Sequence, residues 1–92
     1  MDAQLGQLVT SRAGRDSGQR YLVVGYNGQR VLVADGRLRS VKRPKHKNIR
    51  HICFHKVVAE EISAKLLANI SVSDADIRAA LDRLQDGGEE VD

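Results

Sequence analysis

The chain has 92 residues and a net charge of +3, from fifteen Lys and Arg against twelve Asp and Glu, a size that fits one small domain with at most an appendage. A lone Cys53 rules out an internal disulfide and fits a reducing, cytoplasmic setting. No apolar run nears the roughly 18 residues of a membrane span, and the first residues lack the basic and apolar regions of a signal peptide, so no membrane partner is expected. With no Trp, one Phe (Phe54) and two Tyr (Tyr21 and Tyr26), aliphatic side chains must build the core.

The first half reads as short strands joined by tight turns. Leu5 to Ser11 is a first strand, with Leu5, Gln7 and Val9 on one face and Leu8 and Thr10 on the other. Ala13 to Gly18 carries two Gly, an Asp and a Ser, which is turn chemistry. Tyr21 to Tyr26 and Arg30 to Ala34 are β-branched or aromatic runs separated by Asn27-Gly28, the dipeptide that favours a type I′ hairpin because both central positions need positive φ. Asp35-Gly36 repeats the device before a further strand, Leu38 to Val41. Pro44, which has no N–H for a ladder, ends it. Asn48 to His55 is the last strand, with Ile52 and Phe54 on one face and His51, Cys53 and His55 on the other. Strands of this length and spacing predict a small antiparallel sheet closing on itself.

The second half is helical. From Val57 to Ala68, the spacing of Val58, Ile62 and Leu66 puts them on one face, Glu61 and Lys65 are an i, i+4 pair, and Asn69 terminates. Ser73 and Asp76 form a capping box, with Val72 and Ile77 placed for a hydrophobic staple. Ile77, Leu81 and Leu84 continue a single stripe until Gly87-Gly88 stops the helix, leaving Glu89 to Asp92 as a frayed tail. The predicted architecture is mainly β with C-terminal α: a basic five-stranded SH3-like barrel over residues 1–56, then an acidic helical extension over 57–92. The helices either fold back to enlarge a small core or dock a partner protein.

Charge divides at the same point. Up to Lys56 twelve cations minus three acids give +9, whereas from Val57 on three cations minus nine acids give −6. Between Arg37 and Lys56 there are eight Lys and Arg, three His and no acid. Such a ribbon suits a polyanion, whose condensed counterions Lys and Arg displace.

Two sets of residues resemble a known family. Gly6-x-x-Val9-x-x-x-x-Gly14-Arg15-Asp16-x-Gly18 resembles the KOW motif, a strand-loop-strand element of small RNA-binding barrels in ribosomal proteins and transcription elongation factors. The continuation Ala34-Asp35-Gly36-Arg37-Leu38-Arg39, then Lys42-x-Pro44-Lys45-x-Lys47-Asn48-x-x-His51, is similar to the bacterial KOW-domain RNA-binding proteins, which are related to protein fourteen of the archaeal and eukaryotic large ribosomal subunit. The resemblance covers roughly residues 5–55. It implies a KOW-type barrel bound to ribosomal RNA, with Gly14 and Gly18 shaping the first loop and Arg15 at its tip. Asp16 would cap the turn, and Arg39, Lys45, Lys47 and Asn48 would lie on or near the RNA face. Nothing after Lys56 inherits a role, although the acidic helices could contact a ribosomal protein.

The resulting candidate RNA-binding set is Arg12, Arg15, Arg37, Arg39, Lys42, Arg43, Lys45, His46, Lys47, Asn48 and Arg50. A-form RNA hides its base edges in a narrow groove, so these residues would contact backbone and 2′-hydroxyls and select by shape. Arginines can fork onto phosphate oxygens, whereas lysines act as point charges. Lys45 and Lys47 are read as surface residues whose joint removal would weaken binding with little effect on stability. Tyr21 and Tyr26 are expected to pack the sheet rather than stack on bases. His51-x-Cys53-x-His55 is not read as a metal site, because same-face strand residues lie about 6.6 Å apart. Cys53 with a neighbouring His lacks an orienting group and an oxyanion hole. Neither an enzyme nor a cofactor is therefore expected. The other readings are a protein-interaction module of the transcription and translation machinery and a duplex-DNA binder, although no helix carries the basic residues that groove reading needs.

Overall fold

The computed structural model describes residues 3–87, apart from the side chains of 85–87. Five strands, β1 (Gln7–Ser11), β2 (Arg20–Asn27), β3 (Arg30–Ala34), β4 (Lys45–Asn48) and β5 (Ile52–Val58), are followed by helices α1 (Glu60–Leu67) and α2 (Asp74–Gly87). All strand pairs are antiparallel, in the order β4-β3-β2-β1-β5. The chain is thus mainly β with C-terminal α. The expected closed barrel does not form, because β4 and β5 occupy the two edges of one open sheet. A short 3₁₀ turn, Ile49–His51, carries the chain from one edge to the other.

The central strands are buried on both sides. One face gathers Val9, Tyr21, Val23, Val31, Val33 and Ile52, with Phe54 and Leu5 packed against them. The opposite face joins Leu8 and Leu22 to Ala59, Ile62, Ile77, Ala80 and Leu81. The apolar stripes of both helices are therefore covered by the sheet, and the fold-back alternative is the one that forms. Gly6 and Gly36 permit it. Gly6, at φ +84°, lies where a Cβ would stand 2.9 Å from the Ala59 carbonyl and the Ser63 amide nitrogen. Gly36, at φ +76°, lies where one would stand 2.5 Å from the Asp74 carbonyl.

Several boundaries differ from expectation. The β2–β3 turn centres on Gly28-Gln29 instead of Asn27-Gly28: Asn27 pairs with Arg30, and only Gly28 has positive φ, the type II′ pattern. Leu38 to Val41 is not a strand. Its alternate amides, which a ladder would need, go to carboxylates instead. The N–H groups of Arg37 and Arg39 both donate to Asp35 Oδ1 at 2.9 Å, and that of Val41 donates to Asp74 Oδ1 at 2.7 Å. The fourth strand begins only after Pro44, which precedes a strand rather than ending one. Val57 and Val58 extend β5 rather than opening a helix.

The helix signals are otherwise realised. Ser73 N–H donates to Asp76 Oδ2 at 3.0 Å and Asp76 N–H to Ser73 Oγ at 3.1 Å, the reciprocal capping box, and Asn69 adopts φ +59° at the end of α1. The expected Glu61–Lys65 pair is replaced by pairs between helices, Lys65 with Asp76 at 3.4 Å and Glu61 with Arg83. The expected tail, Glu89 to Asp92, lies outside the described residues. Among the described residues no helix is long and apolar enough to cross a membrane.

Candidate nucleic-acid interface

The basic half is organised around Asp16. The loop from Arg12 to Gln19 is closed by backbone bonds from Ser11 N–H to Gln19 O at 2.9 Å and from Gly18 N–H to Ser11 O at 2.8 Å, which turn the Asp16 carboxylate toward the sheet. Its Oδ1 accepts from Ser11 Oγ at 2.9 Å and from Lys47 Nζ at 3.2 Å. Its Oδ2 accepts from the Tyr21 hydroxyl at 2.7 Å and pairs with Lys45 Nζ at 3.1 Å. Four donors thus occupy the roughly four lone-pair directions of one carboxylate. Burial alone would push its pKa up; the Tyr21 hydroxyl first, then Lys45, Ser11 and Lys47, outweigh that and hold it well below the usual carboxylate range. Burial, reinforced by Asp16, raises the Tyr21 phenol well above its ordinary value.

This hub corrects the surface placement expected of Lys45 and Lys47. In the β3–β4 ladder Lys45 stands opposite Val33 and Lys47 opposite Val31, so both share the face of the buried valines. Lys47 is only 7% exposed and Lys45 is half-buried, with their stems along the sheet and their ammonium groups on Asp16. His46 alternates outward and is exposed. Asn48 is exposed, but its Oδ1 accepts the Arg50 N–H at 2.9 Å and caps the 3₁₀ turn.

The remaining candidates, Arg12, Arg15, Arg37, Arg39, Lys42, Arg43 and Arg50, are exposed. The ion pairs among the described residues involve only Lys45, Lys47, Lys65 and Arg83 as cations. Arg12 N–H donates to His51 O at 2.9 Å, which brings the first loop beside the 3₁₀ turn that carries Arg50. Arg15, Arg39 and Lys45 converge on an open cleft of about 410 Å³, lined also by Asp16, Gln19, Tyr21, Asp35 and Leu38. Asp35 is 3% exposed, and besides the two loop amides it accepts Gln19 Nε2 on Oδ2 at 2.9 Å.

Gln19, Asp35 and Leu38 are absent from the sequence-based set. The Asp35-Gly36 turn signal pointed to the loop, but not to the inward-facing carboxylate. Tyr21 packs the sheet as expected, whereas Tyr26 is 47% exposed and its hydroxyl donates to Ala3 O at 2.8 Å. His51 lies in the 3₁₀ turn rather than on a strand with Cys53 and His55, and His55 Nε2 is 2.7 Å from Thr10 Oγ1. Among the described residues no three His, Cys, Asp or Glu side chains converge as a metal site. No family model matches the chain, and neither does any curated protein.

Proposed function

We propose that this protein binds structured RNA through the basic surface of residues 12–50, acting in the cytoplasm on ribosomal RNA of the large subunit as a ribosomal protein or ribosome-associated factor. One observation carries the reading. The two described acids of the basic half turn inward, Asp16 onto two lysines and Asp35 onto loop amides, while nine of its Lys and Arg, seven of them in the candidate set, remain exposed and outside the ion pairs among the described residues. A surface sorted in this way attracts phosphate without an internal competitor. The five-stranded antiparallel sheet is open rather than a closed barrel, but its strand-loop-strand element with Gly14, Arg15 and Gly18 keeps the order of the KOW motif it resembles. An enzyme or cofactor has no part in this reading.

The test is equilibrium binding to a fragment of large-subunit ribosomal RNA across a salt series, with duplex DNA of equal length as competitor. Affinity should fall steeply with salt, and RNA should win the competition, because 2′-hydroxyls and A-form shape add to the shared phosphate attraction. Equal affinity for the duplex DNA would refute the RNA preference, and salt-independent binding would refute the cationic face.

A further inference from the structure

The cleft beneath Arg15 and Arg39 has a composition that neither a phosphate ion nor a plain duplex would require. Its floor is formed by the buried Tyr21 ring and Asp35 carboxylate, with the Asp16 carboxylate beside them already taken up by Ser11, Tyr21, Lys45 and Lys47. Its rim is cationic, with Arg15 and Arg39 exposed and Lys45 half-buried. Leu38 stands on the same rim at 88% exposure, a large aliphatic side chain without a covering neighbour.

From these features we infer that the cleft is a subsite for a single unpaired nucleotide, a bulged or looped-out residue of the RNA; the inference rests on the RNA-binding reading above. Phosphate alone does not suit the floor, where the Asp35 carboxylate repels it. A base does, because its N–H groups donate to carboxylate and amide oxygens. Asp35 accepts three hydrogen bonds, which leaves about one of the four acceptor directions of a carboxylate. Gln19 already directs its Nε2 to Asp35 and to Arg20 O, and its Oε1 remains as a second acceptor. Leu38 supplies an apolar surface for the face of the base, and the exposed Arg15 and Arg39 supply cations for its flanking phosphates, Lys45 being held by Asp16. The three chemistries of a nucleotide, donor edge, apolar face and anionic backbone, thus meet three kinds of group in one place. A cleft of about 410 Å³ falls within the size range of small-ligand sites. Stacked, paired bases cannot enter it, so the RNA must present a residue already out of the helix.

The test uses two RNA hairpins with the same stem, one of them carrying a single-nucleotide bulge, titrated into the full chain at fixed salt and followed by fluorescence anisotropy. The bulged hairpin should bind roughly 5- to 100-fold tighter, the range expected for one accommodated base. Leu38→Ser, at a side chain too exposed to hold up the fold, should bring that ratio below about 2, and Gln19→Ala should lower it in the same direction. Arg37→Ala with Arg43→Ala should weaken both hairpins in proportion and keep the ratio. Equal binding of the two hairpins by the unaltered protein overturns the nucleotide subsite and leaves the RNA-binding reading standing. Binding of neither hairpin overturns both.

Discussion

Lys47 and Arg43 are four residues apart in one basic run, and their surroundings give them opposite roles. Lys47 is 7% exposed and bonded to Asp16 at 3.2 Å, whereas Arg43 is exposed and makes no ion pair among the described residues. Lys47→Ala leaves Asp16 with one cation instead of two and opens space beside Val31, so it should cost about 1–3 kcal/mol in urea unfolding at pH 7. Arg43→Ala should stay within about 0.5 kcal/mol. Asp16 also sets a pH response. Its pKa in the folded chain lies below the ordinary 3.8, so near pH 4 the unfolded chain takes up the proton first. The stability it contributes is complete above about pH 4 and is lost as pH falls toward the folded value. Thermal melts between pH 6 and pH 2 should therefore decline, and Asp16→Asn should lower the plateau and flatten the decline. The raised Tyr21 phenol acts with the opposite sign, its contribution being complete below its ordinary pKa of 10.0 and lost as pH climbs beyond it. Residue types told which side chains could carry positive charge. They did not tell which of the lysines meets an acid 31 positions earlier in the chain, because that depends on β4 pairing with β3 and not on any local spacing.

At the scale of elements, the helices were the most legible part, since capping boxes and apolar stripes are written within one or two turns of chain. Ser73, Asp76 and Ile77 stand where their spacing placed them. The fourth strand was misplaced because its apparent alternation, Leu38 to Val41, competes with two aspartates whose side chains take the amides that a ladder would use. One of these, Asp74, belongs to a helix 33 residues away. Gly36 is where that helix and the loop meet, as Arg78 Nη1 also donates to the Gly36 carbonyl at 2.7 Å. A methyl group there would collide with the Asp74 carbonyl at 2.5 Å in addition to straining a φ of +76°. Gly36→Ala should therefore cost about 2–5 kcal/mol, the sum of overpacking and a left-handed backbone. Gly18 separates these two costs, having φ +91° but no heavy atom within 4 Å of the place a methyl group would take. Gly18→Ala should cost only about 1–2 kcal/mol, that of backbone strain alone. Equal losses for the two variants in chemical denaturation would show that the α2 contact at Gly36 contributes little.

For the whole molecule, the acidic half is part of the core of the basic half, although the charge division at Lys56 reads like a boundary between separable units. Composition marked only a division of charge, at a point that falls inside β5. It was silent on the second buried face of the sheet, because Leu8 and Leu22 look like the outer residues of a small barrel until the helices cover them. Exposed cations should set the RNA response of the intact chain: replacing Arg37, Arg43 and Arg50 together with Ala should lower the slope of log affinity against log salt by roughly two to three, at about 0.7–0.9 for each phosphate no longer neutralised. Stability should be set by the helices. A chain truncated after Val58 loses Ile62, Ile77 and Leu81 from the core and uncovers Leu8 and Leu22. At about 1.5–3 kcal/mol for each large aliphatic side chain, that loss matches or exceeds the entire stability of an ordinary small domain, about 5–15 kcal/mol. The truncated chain should therefore show collapsed amide dispersion in NMR spectra and no cooperative thermal transition, even though every strand and every proposed RNA contact remains in it. A cooperative melt of the truncated chain would mean that the Val9, Val23, Val31 and Ile52 face folds alone, and that the helices are an appendage after all.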